Sequence, residues 1–363
     1  MEKKKALVAM SGGVDSSVAA YLVKEAGYDT TGVTMRLFDS ETDFGKGILR
    51  GNLSSIRDAA KVAERLGIGF AELDMRREFK EEVIRRFIEA YEAGRTPNPC
   101  IVCNKHLKFE ALYNLGADRI GKDGACEPII ATGHYAVIEK DDQTGRYKLR
   151  KAADPAKDQS YFLYSLTQKQ LARTLFPLGA MTKPEVRKIA EAQGFVTAHK
   201  KDSQDICFVP GGDYVSFIKQ YAGKEYPPGD FTDADGNVMG THKGIIKYTV
   251  GQRKGLGLAL KKPAYVCRLD TANNRVILGD NEDLFTRELT ASDFNWLSIP
   301  EPAEPVQCLA RIRYRHHESL ATASVLPGGM VRVVFEEPQR AITSGQSVVL
   351  YDGDYVLGGG IIQ

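Results

Sequence analysis

The sequence predicts an α/β protein built on a parallel sheet with flanking helices, followed by a small central domain and a C-terminal β-rich domain. Three observations predict it. Apolar strand-like runs alternate with amphipathic helix-like ones through about residue 210. A glycine-rich turn, Ser11–Ser17, stands between the first strand and the first helix. From about Gly211 onward, glycines and prolines cluster and short alternating strands take over.

Taken in order, Lys5–Met10 is the first buried strand, and Val18–Val23 lies on the helix that leaves the turn. A second strand follows near Thr30–Leu37. The polar, glycine-containing stretch Phe38–Asn52 predicts a long mobile loop. The next helix lies near Ser55–Leu66, with Ser55 and Asp58 spaced as a capping box. Glu78–Ala93 predicts a helix that buries Phe79, Val83, Phe87 and Tyr91 and ends at Gly94. A strand over Pro128–Thr132 runs into Gly133-His134-Tyr135, and a capped helix starts at Thr182-Lys183-Pro184-Glu185 and stops at Gly194. Hairpin signals follow at Asp235-Gly236-Asn237, Pro327-Gly328-Gly329 and Asp352-Gly353. Domains are therefore drawn at 1–210, 211–285 and 286–363, the last a β-barrel or sandwich.

The 363 residues suffice for two or three domains with real cores. A net charge of +2 sets up no strong field, so a nucleic-acid partner would be held by local basic patches. The N-terminal Met1–Lys5 enters the first strand without a signal-peptide core, and no apolar run is long enough for a bilayer; the expectation is a cytoplasmic protein with no membrane partner. Of six cysteines, Cys126, Cys267 and Cys308 read as inert core residues.

At the Ser11–Ser17 turn, backbone N–H groups and a helix N-terminus face one point, a ready site for phosphate. The glycines let the backbone approach closely, and Asp15, Ser16 and Ser17 add side chains for capping, metal or phosphate. No Gly-Lys-Ser/Thr ending is present, which excludes the Walker-type loop. The turn resembles the SGGxDS loop of the PP-loop ATP pyrophosphatases, which cleave ATP to AMP and pyrophosphate.

Two further segments carry thiols. In Thr96-Pro97-Asn98-Pro99-Cys100-Ile101-Val102-Cys103-Asn104-Lys105, the prolines hold the approach extended and a helix is expected from near Cys103 to Asn114. A thiol at that helix start, beside Lys105 and Lys108, should have its pKa lowered. An ordinary thiol is only about 3% ionised at neutral pH, and a shift to about 7 raises this to roughly half. In Lys201-Asp202-Ser203-Gln204-Asp205-Ile206-Cys207-Phe208 another cysteine follows a polar loop; alone it would read as buried.

With these segments the resemblance becomes specific: the chain is similar to the tRNA-specific 2-thiouridylases, which replace the 2-oxygen of the wobble uridine with sulfur. The ordered matches include Ser11–Ser17, Gly94–Pro99, Cys103-Asn104-Lys105, Ala131–Tyr135, Lys157–Leu163, Lys201-Asp202-Ser203 and Ile206-Cys207-Phe208. They continue through Gly251–Gly257, Arg313-Tyr314-Arg315, Thr343–Gln346 and Leu357–Ile362. The resemblance implies a PP-loop catalytic domain, a C-terminal β-barrel that contacts tRNA, and ATP with magnesium. ATP would be bound by Ala9, Met10, Ser11, Gly12, Gly13, Val14, Asp15, Ser16, Met35 and Gly133. Asn98, Pro99 and Cys100 would line the pocket of the flipped target base. His134, Lys157, Asp158, Gln159, Arg313, Tyr314 and Gln346 are carried over as tRNA contacts. Strand alternation would also place Arg311, Arg313 and Arg315 on one face beside Tyr314, suited to RNA. Cys207 would carry sulfur as a persulfide from a separate sulfur-donor protein or relay, and Cys103 would release it by forming a disulfide.

One departure is Cys100, where many family members carry aspartate. It opens a second route, in which Cys100, Cys103 and Cys207 hold a four-iron four-sulfur cluster with one open iron. The persulfide route needs only Cys103 and Cys207 and is preferred. Two rival functions stand beside thiolation: another AMP-forming PP-loop synthetase, which has no need of the two thiols, and a non-catalytic tRNA-binding protein with a relic ATP loop.

Overall fold

A five-stranded parallel sheet organises the first part of the molecule. It is seen in a computed structural model that describes residues 3–38, 50–119, 127–201 and 206–363. Most of the expected loop over 38–52 lies outside these residues, as do Cys126 and residues 202–205. The strands are β1 (Lys5–Ala9), β2 (Asp29–Arg36), β3 (Gly69–Asp74), β4 (Ile129–Thr132) and, after the hairpin β5 (Val137–Lys140) and β6 (Tyr147–Arg150), the short β7 (Thr174–Leu175). Their spatial order is β3-β2-β1-β4-β7. The chain thus winds outward from β1 and returns on its other side at β4, creating a topological switch point between those two strands, where open parallel sheets bind ligands.

Alternation along β1 explains how the sheet is buried. Ala6 and Val8 pack on one face with Val18, Val62 and Val186, whereas Leu7 packs on the other with Phe79, Phe87 and Phe109. The first face is covered by α1 (Val14–Glu25) and α2 (Arg50–Leu66). Helix α2 begins before Ser55, so Ser55 and Asp58 lie inside it and form no cap; Ile56, Ala59, Val62 and Ala63 supply its buried stripe. Three consecutive helical stretches, Arg76–Glu78, Phe79–Arg85 and Arg86–Glu92, make α3. Gly94, with φ +70°, ends it as expected.

Helix α4 is likewise continuous through Pro99–Val102, Cys103–Ala111 and Leu112–Arg119. It starts at Pro99, not near Cys103, because proline's fixed φ suits a first helical position and Asn98 is extended before it. Cys103 therefore sits one turn inside the helix. Two further helices, α5 (Gln168–Ala172) and α6 (Lys183–Ala192), both begin with a capping box; in α6 it is formed by Thr182 and Glu185.

The second unit contains α7 (Tyr214–Ala222), capped by Asp213, and a four-stranded sheet ordered β10-β11-β8-β9. Its strands are β8 (Gly229–Thr232), β9 (Val238–His242), β10 (Tyr265–Asp270) and β11 (Arg275–Gly279). The third unit is a closed antiparallel barrel of β12 (Phe285–Trp296), β13 (Val306–Arg311), β14 (Ser319–Val325), β15 (Val331–Arg340), β16 (Ser347–Asp352) and β17 (Tyr355–Ile362), closed by pairing of β12 with β17. Closure removes the exposed edges of a sandwich and encloses Leu289, Val333, Phe335, Val348 and Ile362.

The hairpin β5–β6 belongs in sequence to the first unit but extends the barrel's sheet, with Arg150 opposite Tyr355. The Arg146 guanidinium donates to the carbonyls of Trp296, Leu297 and Ile299, and the Tyr355 hydroxyl donates to Glu139 at 2.7 Å. Composition alone gave no sign of this stitching.

Candidate active site

The Ser11–Ser17 turn lies at the switch point and enters α1 through Gly13. Ser16 Oγ donates to the Gly13 carbonyl at 3.1 Å and accepts from the Ser11 N–H at 3.2 Å, while Ser17 Oγ donates to the same carbonyl at 2.8 Å. These bonds tighten the turn and leave N–H groups of the first helical turn facing outward. Gly12 has φ +70°, and a Cβ there would stand 2.1 Å from the Ser55 carbonyl oxygen of α2. A Cβ on Gly133, just beyond β4, would meet the Asp15 carbonyl carbon and the Ser16 nitrogen at 2.8 Å. Glycine at these two positions, just beyond β1 and β4, lets the loop pack backbone to backbone against α2 and the β4 turn, so a side chain at either would displace it. Of the other expected ATP residues, Met10 and Val14 are core side chains and can offer only backbone; Ala9 and Met35 are half-buried on the sheet's other face.

Asp15 is the most heavily engaged residue of the loop. Tyr135 Oη donates to Oδ1 at 2.8 Å, and Lys183 Nζ bridges Oδ1 and Oδ2 at 2.7 and 2.8 Å. Lys200 Nζ donates to the Gly12 carbonyl and to Asp58, both at 2.9 Å. Lys183 and Lys200 escaped the sequence reading, because their partners lie 168 and 188 residues away. The one available signal for Lys183 was its place at a capped helix start facing the sheet.

A chain of contacts leads from this loop to the thiols. Gly133 presses on Asp15, and His134 beside it approaches Lys108 of α4, Nε2 to Nζ at 3.4 Å. An ammonium can only donate, so Nε2 accepts and the proton sits on Nδ1, aimed at Thr132 Oγ1 at 2.7 Å. Burial, and then Lys108, hold the His134 pKa well below its usual value, so the ring is neutral. Lys108 is also the cation that acts on Cys100, Cys103 and Cys207, and Cys207 feels both other thiols. The fold therefore brings the two thiol segments together. Phe208 anchors the second by packing edge-on against Phe79 and Phe87, with centroids at 5.5 and 5.2 Å; full burial of such a ring contributes about 1.5–3 kcal/mol.

The expected lowering of the thiol pKa is overturned. Desolvation raises all three, Cys207 up to about 12, and Lys108 offsets only part of this. Cys100 and Cys207 retain exposed surface and Cys103 is half-buried, yet burial of the sulfurs themselves is the largest cause of the rise. Cys103 also lacks the helix N-terminus that was to stabilise its thiolate. Among the described residues, no three Cys, His, Asp or Glu side chains converge in a metal-binding group. Nothing among the described residues evidences a cluster on Cys100, Cys103 and Cys207, and no step is drawn through one.

The expected tRNA contacts divide. Asp158 is buried and accepts from the Ala152 and Ser160 N–H groups at 3.1 and 3.2 Å, with Arg311 at 3.8 Å; it shapes its loop. Gln159 Oε1 accepts from the Tyr135 N–H, Lys157 is half-buried, and the Tyr314 hydroxyl donates to the Asp158 carbonyl. His134 is buried against Phe109 and Phe176. Gln346 donates to the Thr96 carbonyl at 2.9 Å, and Arg313 to that of Arg340 at 3.0 Å. β13 ends at Arg311, so Arg313 and Arg315 occupy the following turn and the expected strand face of three arginines does not form; Arg315 is the exposed member. Asn98 and buried Pro99 sit at the start of α4, one turn from Cys103. Of the remaining cysteines, Cys308 is buried in the barrel and Cys267 half-buried in β10.

A parallel sheet with an SGGVDS turn at its switch point, closely packed through glycines and held by Lys183 and Lys200, defines a nucleotide-activating PP-loop protein. The comparisons narrow this. Residues 4–211 match a family described as tRNA methyl transferase HUP domain, 215–280 its PRC-barrel domain, and 286–362 an aminomethyltransferase beta-barrel domain. A Clostridioides difficile protein named tRNA-specific 2-thiouridylase MnmA is 51% identical over 99% of this chain and 98% of its own. One of the same name from Acetivibrio thermocellus is 50% identical over the whole of both chains. The chain belongs to the tRNA-specific 2-thiouridylase family. The domain descriptions speak of methyl transfer, but the full-length relatives are named for thiolation.

Proposed function

We propose that the protein replaces the 2-oxygen of the wobble uridine of tRNA with sulfur, at the cost of ATP, through the PP-loop and the Cys103–Cys207 pair. The observation that carries this reading is the contact chain Asp15–Gly133–His134–Lys108, which joins the Ser11–Ser17 loop to both thiol segments. A carbonyl oxygen is a poor leaving group; bonding it to the α-phosphorus of ATP expels pyrophosphate and converts it into part of AMP. The loop N–H groups and lysines would hold the phosphates, and magnesium would ride with them, Asp15 being the loop's carboxylate. Asn98, Pro99 and Cys100 would line the base pocket.

Cys207 receives a sulfur atom from a donor protein or relay and holds it as a persulfide. The terminal sulfur bonds to C2 of the uridine and AMP leaves. Cys103 thiolate then attacks Cys207 Sγ, breaking the S–S bond; the thiouridine forms and a Cys103–Cys207 disulfide remains, which an external thiol reduces. Lys108, the shared cation, would favour each thiolate as it forms. In this reading Arg315 and the neighbouring turn meet phosphate, while Asp158 and Gln346 shape the surface.

The test is incubation with unmodified tRNA, ATP and a sulfur source, followed by mass spectrometry of the nucleosides. Cys207→Ser should still release pyrophosphate when tRNA is added but form no 2-thiouridine. Pyrophosphate release stimulated by ammonia or glutamine and indifferent to tRNA would favour an amide-forming synthetase instead.

A further inference from the structure

Lys183 is 8% exposed, a costly state for an ammonium that only a specific task or a well-made pair can sustain. It is held at both ends. Its backbone N–H donates to Asp154 Oδ2 at 2.9 Å, and its Nζ spans both oxygens of Asp15. Tyr135, 2% exposed, adds a hydroxyl to the same carboxylate and lies with its ring 6.0 Å from Nζ. Asp15 itself is 30% exposed and sits in the first turn of α1. A carboxylate there opposes any anion drawn to the helix N-terminus, unless a cation beside it cancels its charge.

We propose that Lys183 is the residue by which this loop distinguishes a nucleoside triphosphate from a monophosphate. In the free protein it neutralises Asp15; with ATP bound its charge acts on the β- and γ-phosphates and then on the departing pyrophosphate. The proposal rests on the reading of Ser11–Ser16 as an ATP site. A lysine that merely supported the fold would affect ATP and AMP alike, because both share the adenosine and the α-phosphate. A lysine acting on the outer phosphates affects the triphosphate more than the monophosphate.

The experiment is equilibrium dialysis of the full chain with labelled ATP and labelled AMP, for the unaltered protein, Lys183→Met and Lys183→Arg, each checked for folding by thermal melting. Lys183→Met leaves Asp15 uncompensated and so weakens both nucleotides, but it should narrow the ratio of AMP to ATP dissociation constants by about tenfold or more, because only ATP also loses the charge-assisted contact to its outer phosphates. Lys183→Arg should keep most of the ratio. Should Lys183→Met not fold, D15N/K183M removes both charges together and is compared with D15N. An unchanged ratio, or equal weakening of both nucleotides, overturns the role of Lys183. Failure of the unaltered protein to bind ATP overturns the nucleotide site itself.

Discussion

Residues 11–17 were legible because their meaning is local: strand, turn and helix are contiguous, and the glycines announce the close approach that Gly12 makes to Ser55. The thiols were legible as a pair but not in their ionisation, which depends on what crowds them from distant segments. Since burial raises Cys207 to about 12, its neutral thiol persists across the physiological range and its thiolate fraction grows about tenfold for each pH unit below that value. Iodoacetamide labelling of Cys207, followed by peptide mass spectrometry, should accordingly climb without a plateau between about pH 7 and pH 10. A plateau near pH 9 would mean the sulfur is not shielded. Asp15→Ala should abolish tRNA-stimulated pyrophosphate release yet leave tRNA binding nearly intact, since the loop and the barrel are separate surfaces; undiminished release would remove Asp15 from the site.

At the scale of elements, β4 and its turn matter through Gly133. Gly133→Ala keeps the backbone conformation accessible but drives a Cβ into Asp15 and Ser16 at 2.8 Å. The expected cost is about 1–3 kcal/mol, with a marked loss of ATP affinity, because the turn must retreat from the loop. Melting curves and dialysis would check both; normal ATP affinity would show that the close approach is incidental. The Arg311–Arg315 segment shows where a local pattern misleads. Alternating arginines look like a strand face, but Arg311 turns inward to Asp158 and to the His316 carbonyl, and the strand stops there. Arg315→Ala should therefore weaken tRNA binding and reduce its salt slope by about one, whereas Arg313→Ala should mainly loosen the barrel. Equal salt slopes for Arg315→Ala and the unaltered protein would exclude that turn from the RNA surface.

Across the whole molecule, the units meet at Gly94–Pro99. A Cβ on Gly94 would strike Thr271 of the central unit at 2.9 Å, and one on Gly345, where φ is +87°, would strike Arg95 and Thr96 at 2.9 Å. The Thr96 N–H donates to the Ser344 carbonyl as well. Gly345→Ala should thus uncouple the barrel from the base pocket, lowering tRNA-stimulated pyrophosphate release more than ATP binding; parallel losses would argue against such coupling. None of these contacts could be read from the chain, because each joins segments far apart in sequence. The stitched hairpin β5–β6 has a consequence for how the protein comes to exist. Its partner strand β17 is synthesised more than two hundred residues later, so the first unit must leave the ribosome with a free sheet edge. Until the last strand arrives that edge can recruit any passing strand, and the nascent chain then depends on chaperones or on speed.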